Sequence, residues 1–310
     1  LTCINAPAAH DGKIETCTCG GPKMSVTTEA AESGGVSSIL LPVSSWPDAT
    51  PAAGLLRAFD TAASLGASVT AIVHEVDVPN VSSLAGDALI NLSHMISAAE
   101  QKSAASADRI AAQLAAMSHR FLGELVVRRW RGRLDDAPQH FARVARTFDH
   151  AFLVTQPEDN SHLVAEAVLF GSGGPLWVFP PVETTAHLRS VAVAWDGARA
   201  SARAVRDALP ILAKADEVTI LTVTDDKPID GPSVESLREF LEGHGVGSVA
   251  VGLERGDWPV GEALQDAALE CGAGLLVMGG YGHSRFREFA LGGATRSILA
   301  RPRLPIFMSH

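Results

Sequence analysis

Two glycine clusters near the end of this chain are its best candidates for chemistry. The apolar run Leu275-Leu276-Val277-Met278 is followed by Gly279-Gly280-Tyr281-Gly282. Nine residues after Gly282 come Gly292-Gly293 and then Ala294-Thr295. A strand that ends in glycines and leads to a helix brings backbone N–H groups together, which suits an anion such as phosphate. Glycine serves there because it reaches φ > 0 and lets a ligand lie against the main chain. A carboxylate could share the place. Asp196 follows the apolar run Ser190–Trp195 and precedes Gly197. If both runs are strands of one parallel sheet, their carboxyl ends open on one mouth, where ligands of such sheets bind. Asp-Gly after a strand is also plain turn chemistry, and the sequence leaves both open.

Other constellations are poorer. There is no Gly-x4-Gly-Lys-Ser/Thr loop, no Gly-x-Ser-x-Gly elbow and no His-Glu-x-x-His helix. His283 and Ser284 are neighbours without a partner to orient a base, and Arg285 and Arg287 read equally as phosphate partners or as a surface pair. Ser33–Ser38 resembles a pyrophosphate loop but precedes the first strand instead of following it. Gly171-Ser172-Gly173-Gly174 reads as a helix stop. Cys3, Cys17 and Cys19 crowd the N-terminus near His10 without a zinc spacing, and Cys271 falls in an apolar helical stripe, so no structural metal is expected. The arginines 128, 129, 131 and 133 around Trp130 read as a charged edge strand.

The elements that must position Asp196 and the glycines alternate along the chain. Ser38–Val43, Ser68–Glu75, Glu124–Val127, Ala151–Thr155 and Leu176–Phe179 read as strands. So do Ser190–Trp195, Glu217–Thr224, Ser248–Gly252, Gly274–Met278 and Pro305–Met308. Helical stretches lie between them, the longest over Ser82–Ser118. Val205, Ala208, Leu209 and Leu212 form one apolar face interrupted by Pro210, and Val234, Leu237 and Leu241 form another with Ser233 as its N-cap. Strands spaced by helices predict an α/β fold with parallel sheet covered on both faces.

The order repeats. Ile39–Ser44 lies over Val191–Asp196 with an offset of 152. Two five-stranded α/β units in one chain, with the spacing Gly-x-x-Gly-x9-Gly in the second, resemble the tandem universal stress proteins over residues 36–310. The resemblance implies two doubly wound units, each a five-stranded parallel sheet flanked by helices, paired through their last strands as an internal pseudo-dimer. It also implies a cytoplasmic stress-response protein that binds ATP or a related adenine nucleotide, with Mg2+ as the accompanying ion. The residues it assigns to the nucleotide are Ala194, Asp196, Val223, Met278, Gly279, Gly282, Gly292, Gly293, Ala294 and Thr295. Family members carry Ser or Thr after the last glycine, where this chain has Gly293.

The halves, 36–181 and 188–310, are not equivalent. Ser44 replaces Asp196. Aligning Val154 with Val277 sets Gln156-Pro157-Glu158-Asp159 where Gly279–Gly282 stand, and makes the following connection seven residues shorter. Acidic side chains repel phosphate, so the first half is expected to be a degenerate, structural or regulatory copy. Alternatives to nucleotide binding are an interaction module that engages an unknown protein partner, with further homodimer formation, and a slow ATPase.

Composition sets the outer limits. The chain has 310 residues, 46% hydrophobic and 19% charged, with no apolar run near the ~18 residues of a spanning helix. This predicts two ordinary soluble domains outside the membrane. The net charge of −10 argues against nucleic acid as partner. Residues 1–35 read as a disordered N-terminal extension, with native translation expected to begin at Met24.

Overall fold

The structure is a computed structural model. It describes residues 38–78, 92–118, 124–156, 161–182, 184, 187–226, 229, 231–280 and 293–310. The expected extension, with Met24, the three N-terminal cysteines and His10, lies outside these residues.

The first half runs β1 (Ser38–Ser44), α1 (Ala52–Leu65), β2 (Ser68–Val76), α2 (Leu92–Ser118), β3 (Leu125–Gly132), α3 (Ala137–Val144), β4 (His150–Val154), α4 (Ser161–Gly171) and β5 (Leu176–Phe179). The second runs β6 (Ser190–Ala194), α5 (Arg199–Leu212), β7 (Glu217–Val223), α6 (Gly231–Gly243), β8 (Val249–Leu253), α7 (Val260–Glu270), β9 (Leu275–Gly279), α8 (Gly293–Ala300) and β10 (Ile306–Ser309). The ten strands form one sheet in the order β3-β2-β1-β4-β5-β10-β9-β6-β7-β8. Within each half all pairings are parallel; the halves meet through the antiparallel pair β5–β10. This is the expected internal pseudo-dimer.

Alternation along the strands divides the core in two. One face carries Val191, Val193, Leu275 and Val277 under α5 and α6, continuous with Ile39, Leu41 and Val43 under α1 and α2. The other carries Ala192, Ala194, Leu276 and Met278 under α7 and α8, with Leu40, Leu153 and Val178 under α3 and α4. Central strands such as β1 are buried on both faces, which is why they read as unbroken apolar runs. Phe307 pairs with Trp177 at the middle of β5–β10, both fully buried, with ring centroids 5.2 Å apart.

Some local expectations are corrected. Ser233 lies inside α6 rather than capping it; its Oγ accepts the indole N–H of Trp195 at 3.0 Å and so ties α6 to the end of β6. Helix α5 continues through Pro210 to Leu212. Cys271 is half-buried at the end of α7, against the second core face. The edge strand β3 extends to Gly132; Arg129 pairs with Asp108, and Arg131 with Asp77 and Glu100. Trp130 lies between His74 and His140, with centroids at 4.6 and 3.9 Å.

Candidate functional site

In the second half β6 pairs with β9 on one side and β7 on the other, so the chain leaves β6 in one direction and β9 in the opposite one. Their carboxyl ends flank a topological switch point, where a crevice forms because successive connections diverge. Ala194, Val223 and Met278 lie on the same buried face at these ends. Their exposures of 8%, 7% and 4% make them an apolar floor, not free surface.

Asp196 stands just past β6 and is exposed. Its Oδ1 accepts the N–H of Ala198 at 2.9 Å and the hydroxyl of Ser201 at 2.7 Å. The following Gly197 has φ +73°, a conformation that favours glycine. The carboxylate thus holds the first turn of α5, whose leading N–H groups lack intrahelical acceptors. The turn chemistry of Asp-Gly is present, and it places the carboxyl group at the mouth. Ser201, which fixes Asp196, was not singled out by the sequence; the five-residue separation fits no simple motif.

Gly279 approaches the same turn from β9. A Cβ on it would lie 2.4 Å from the Ser201 nitrogen and 2.6 Å from the Ala200 carbonyl carbon. Glycine is required here by helix–strand packing, whatever else the site holds. Gly280 donates its N–H to Ser309 O at 2.8 Å, its carbonyl lies 3.0 Å from His310 Nδ1, and the space beside its Cα is filled by Leu169 of α4. Helix α4 of the first half therefore reaches the start of the glycine segment.

Gly282 and Gly292 lie outside the described residues, as do Tyr281, His283, Ser284, Arg285, Arg287 and Glu288. The described segment resumes at α8. Gly293 is exposed with open space around its Cα, Ala294 is half-buried, and Thr295 is 2% exposed. A Cβ on Gly261 would meet Ala294 O at 2.5 Å, so this glycine lets α7 lie close against α8.

Strand register corrects the alignment of the halves. Ile39 is opposite His150 in β1–β4, and Val191 is opposite Leu275 in β6–β9. With Ile39 over Val191, Val154 corresponds to Gly279, not Val277 to Val154. Gln156 then corresponds to Tyr281, and the connection to the last strand is five residues shorter in the first half instead of seven. By the same register His74 takes the place of Val223, Leu153 that of Met278 and Pro42 that of Ala194.

The first half is not solid at this position. A cavity of about 1030 Å³ lies between the ends of β1, β2 and β4 and helices α3 and α4, bordered by Ser44, His74, Phe141, Leu153 and Gln156. Burial lowers the pKa of His74, outweighing the hydrogen bond from its Nε2 to Gly132 O, and keeps the ring neutral.

Residues 187–310 match the model of the universal stress protein family. No curated protein matches the chain in sequence. Among solved structures, a universal stress protein from Archaeoglobus fulgidus DSM 4304 superposes with a TM-score of 0.61 at 16% identity, over 88% of this chain and 95% of that one. A functionally unknown protein from Pseudomonas aeruginosa PAO1 gives 0.51 at 14% identity, over 88% and 92%. At these identities the likeness is one of fold, and it spans both halves.

Among the described residues no group of three or more His, Cys, Asp and Glu is placed to hold a metal ion, and no helix is long and apolar enough to cross a membrane. The mouth of the second half thus combines an apolar floor, one exposed carboxylate held by Ser201, and the start of α8.

Proposed function

We propose that this chain is a tandem universal stress protein, acting in the cytoplasmic stress response, that binds ATP or a related adenine nucleotide in its second half. The observation that carries this is the coincidence of the family match over 187–310 with the β6–β9 switch point where Asp196 and Gly279 meet at Ser201. Ala194, Val223 and Met278 would hold the adenosine, and Asp196 would accept from it. N–H groups around Gly279–Gly282 and Gly292–Thr295 would hold the phosphates with Mg2+ as their counter-ion. The first half serves the second as a pseudo-dimer partner, and Leu169 against Gly280 gives it a hand in placing the glycine segment. Mass spectrometry of small molecules released on denaturing the purified protein tests this. An adenine nucleotide is expected in the parent and not in Gly282→Val; none in either opposes the proposal.

A second reading, an interaction module, rests on the edge strand β8. Val249 and Val251 are 65% and 37% exposed there and would pair with a partner strand or a second copy. Light scattering of the parent and of Val249→Lys decides it: a dimer that Val249→Lys dissociates supports this reading, and a monomer in both opposes a homodimer through this edge.

A further inference from the structure

The cavity of the first half takes the position that the nucleotide mouth takes in the second, yet its chemistry is different. Its floor is Pro42, Leu153 and the ring of His74; its walls are Ala137, Phe141 and Val164. Large apolar side chains at its border stay exposed: Leu134 at 38%, Leu163 at 42% and Phe170 at 51%. A contiguous apolar lining with apolar side chains left at its rim is the usual setting of a small-molecule site.

The polar groups at the strand ends are tied to one another. Thr50 Oγ1 receives the N–H of Ser44 at 2.8 Å and the amide Nε2 of Gln156 at 3.2 Å. The hydroxyl of Ser44 donates to Trp46 O at 2.8 Å. His74 Nε2 lies 2.9 Å from Gly132 O; a carbonyl only accepts, so Nε2 carries the ring proton. Acceptor capacity remains on Nδ1 of the neutral His74 ring and on Oε1 of the buried Gln156 amide. A ligand that brings hydrogen-bond donors finds partners here. Phosphate and carboxylate groups bring only acceptors.

Charge points the same way. At the rim the exposed Arg143 and Arg146 are offset by Asp135 and Glu166, and Arg146 Nε is already bonded to Gly171 O at 2.8 Å. A full charge of either sign on the apolar floor would be left without a buried partner, at a high cost.

We propose that the first half carries a ligand site of its own, for an uncharged, largely apolar planar molecule with a hydroxyl or N–H donor that bonds to His74 Nδ1 and Gln156 Oε1. The site is independent of nucleotide binding in the second half. Phenol- and indole-like rings have the required shape and polarity, and the chain would then join two ligand classes in one pseudo-dimer.

The test is calorimetric titration of the full chain with p-cresol, with toluene as a ring of the same shape lacking the donor. We expect p-cresol to bind at least about tenfold tighter than toluene, because a buried acceptor goes unpaired with toluene. His74→Phe should erase that preference. Independently of any variant, the ring nitrogen signals of His74 should show Nδ1 moving upfield on addition of p-cresol as it accepts a hydrogen bond. Gly282→Val should leave p-cresol binding unchanged, which separates this site from the nucleotide proposal. Absence of p-cresol binding, equal affinity for toluene, or a His74 spectrum that does not respond would each overturn the assignment.

Discussion

Gly279 packs against the main chain of Ser201 where, in the first half, the side chain of Val154 packs against Gly54. The two contacts are the same contact with its partners exchanged. In the first half the glycine is on the helix: a Cβ on Gly54 would lie 2.3 Å from Val154 Cγ1. In the second it is on the strand: a Cβ on Gly279 would lie 2.4 Å from Ser201 N. Helices α1 and α5 are equally long and start at equivalent places, so Gly54 and Ser201 correspond. A close helix–strand approach needs one small partner, and each half supplies it from a different element.

Gly54→Ala should therefore destabilise the fold by roughly 1–3 kcal/mol through overpacking. The same change in a Val154→Gly background should cost less, because the clashing Cγ1 is gone while the contact with Pro180 O at 2.9 Å remains. Urea unfolding of the four proteins measures the coupling. Gly279→Ala should cost more than Gly54→Ala, since backbone atoms cannot rotate away.

Asp196→Ala should lower stability even without a ligand, by about 0.5–2 kcal/mol, since it removes the acceptor for Ala198 N–H and Ser201 Oγ. It should also weaken ATP, by on the order of 1–3 kcal/mol if a charge-assisted bond is lost. Ser201→Ala should share part of both losses. Thermal unfolding with and without ATP separates the two effects.

His150 should make the pseudo-dimer acid-sensitive. It is 7% exposed, and its Nδ1 accepts the N–H of Trp177 at 3.0 Å. Burial pushes its pKa down to about 4, against the weaker opposing pull of Asp149 and Asp207. The unfolded chain, with an ordinary histidine, takes up the proton first as pH falls. The stabilisation is complete above about pH 6.5 and is lost towards pH 4, roughly 2 kcal/mol of it by pH 5. His150→Gln keeps an acceptor for Trp177 and does not titrate. Its unfolding free energy should stay flatter than the parent's between pH 7 and 5 in chemical denaturation.

The strands were legible because central strands of a covered parallel sheet are apolar on both faces, as in Ile39–Val43 and Leu275–Met278. The two units showed in the repeat, whereas their pairing through the last strands was implied by the resemblance to the tandem universal stress proteins. The alignment of β4 with β9 went astray by two residues because a shift of two preserves which side chains face which core. Only the pairing partners, and the exchange of Gly54 for Gly279, fix it. Asp196 was legible as a mouth residue, but its hold on Ser201 depends on where α5 begins. The cavity beside His74 was not legible, since the space between α3 and α4 is a property of packing and no residue type announces it. His74 reads in sequence as one more position of an apolar strand.

We expect one half of this chain to bind an adenine nucleotide and the other not to. Calorimetric titration of the full chain with Mg-ATP tests it most directly, because stoichiometry counts the sites. We expect one ATP per chain, and its loss in a folded Val223→Trp variant that fills the apolar floor of the mouth. No binding, two ATP per chain, or a Val223→Trp protein that binds like the parent would contradict it.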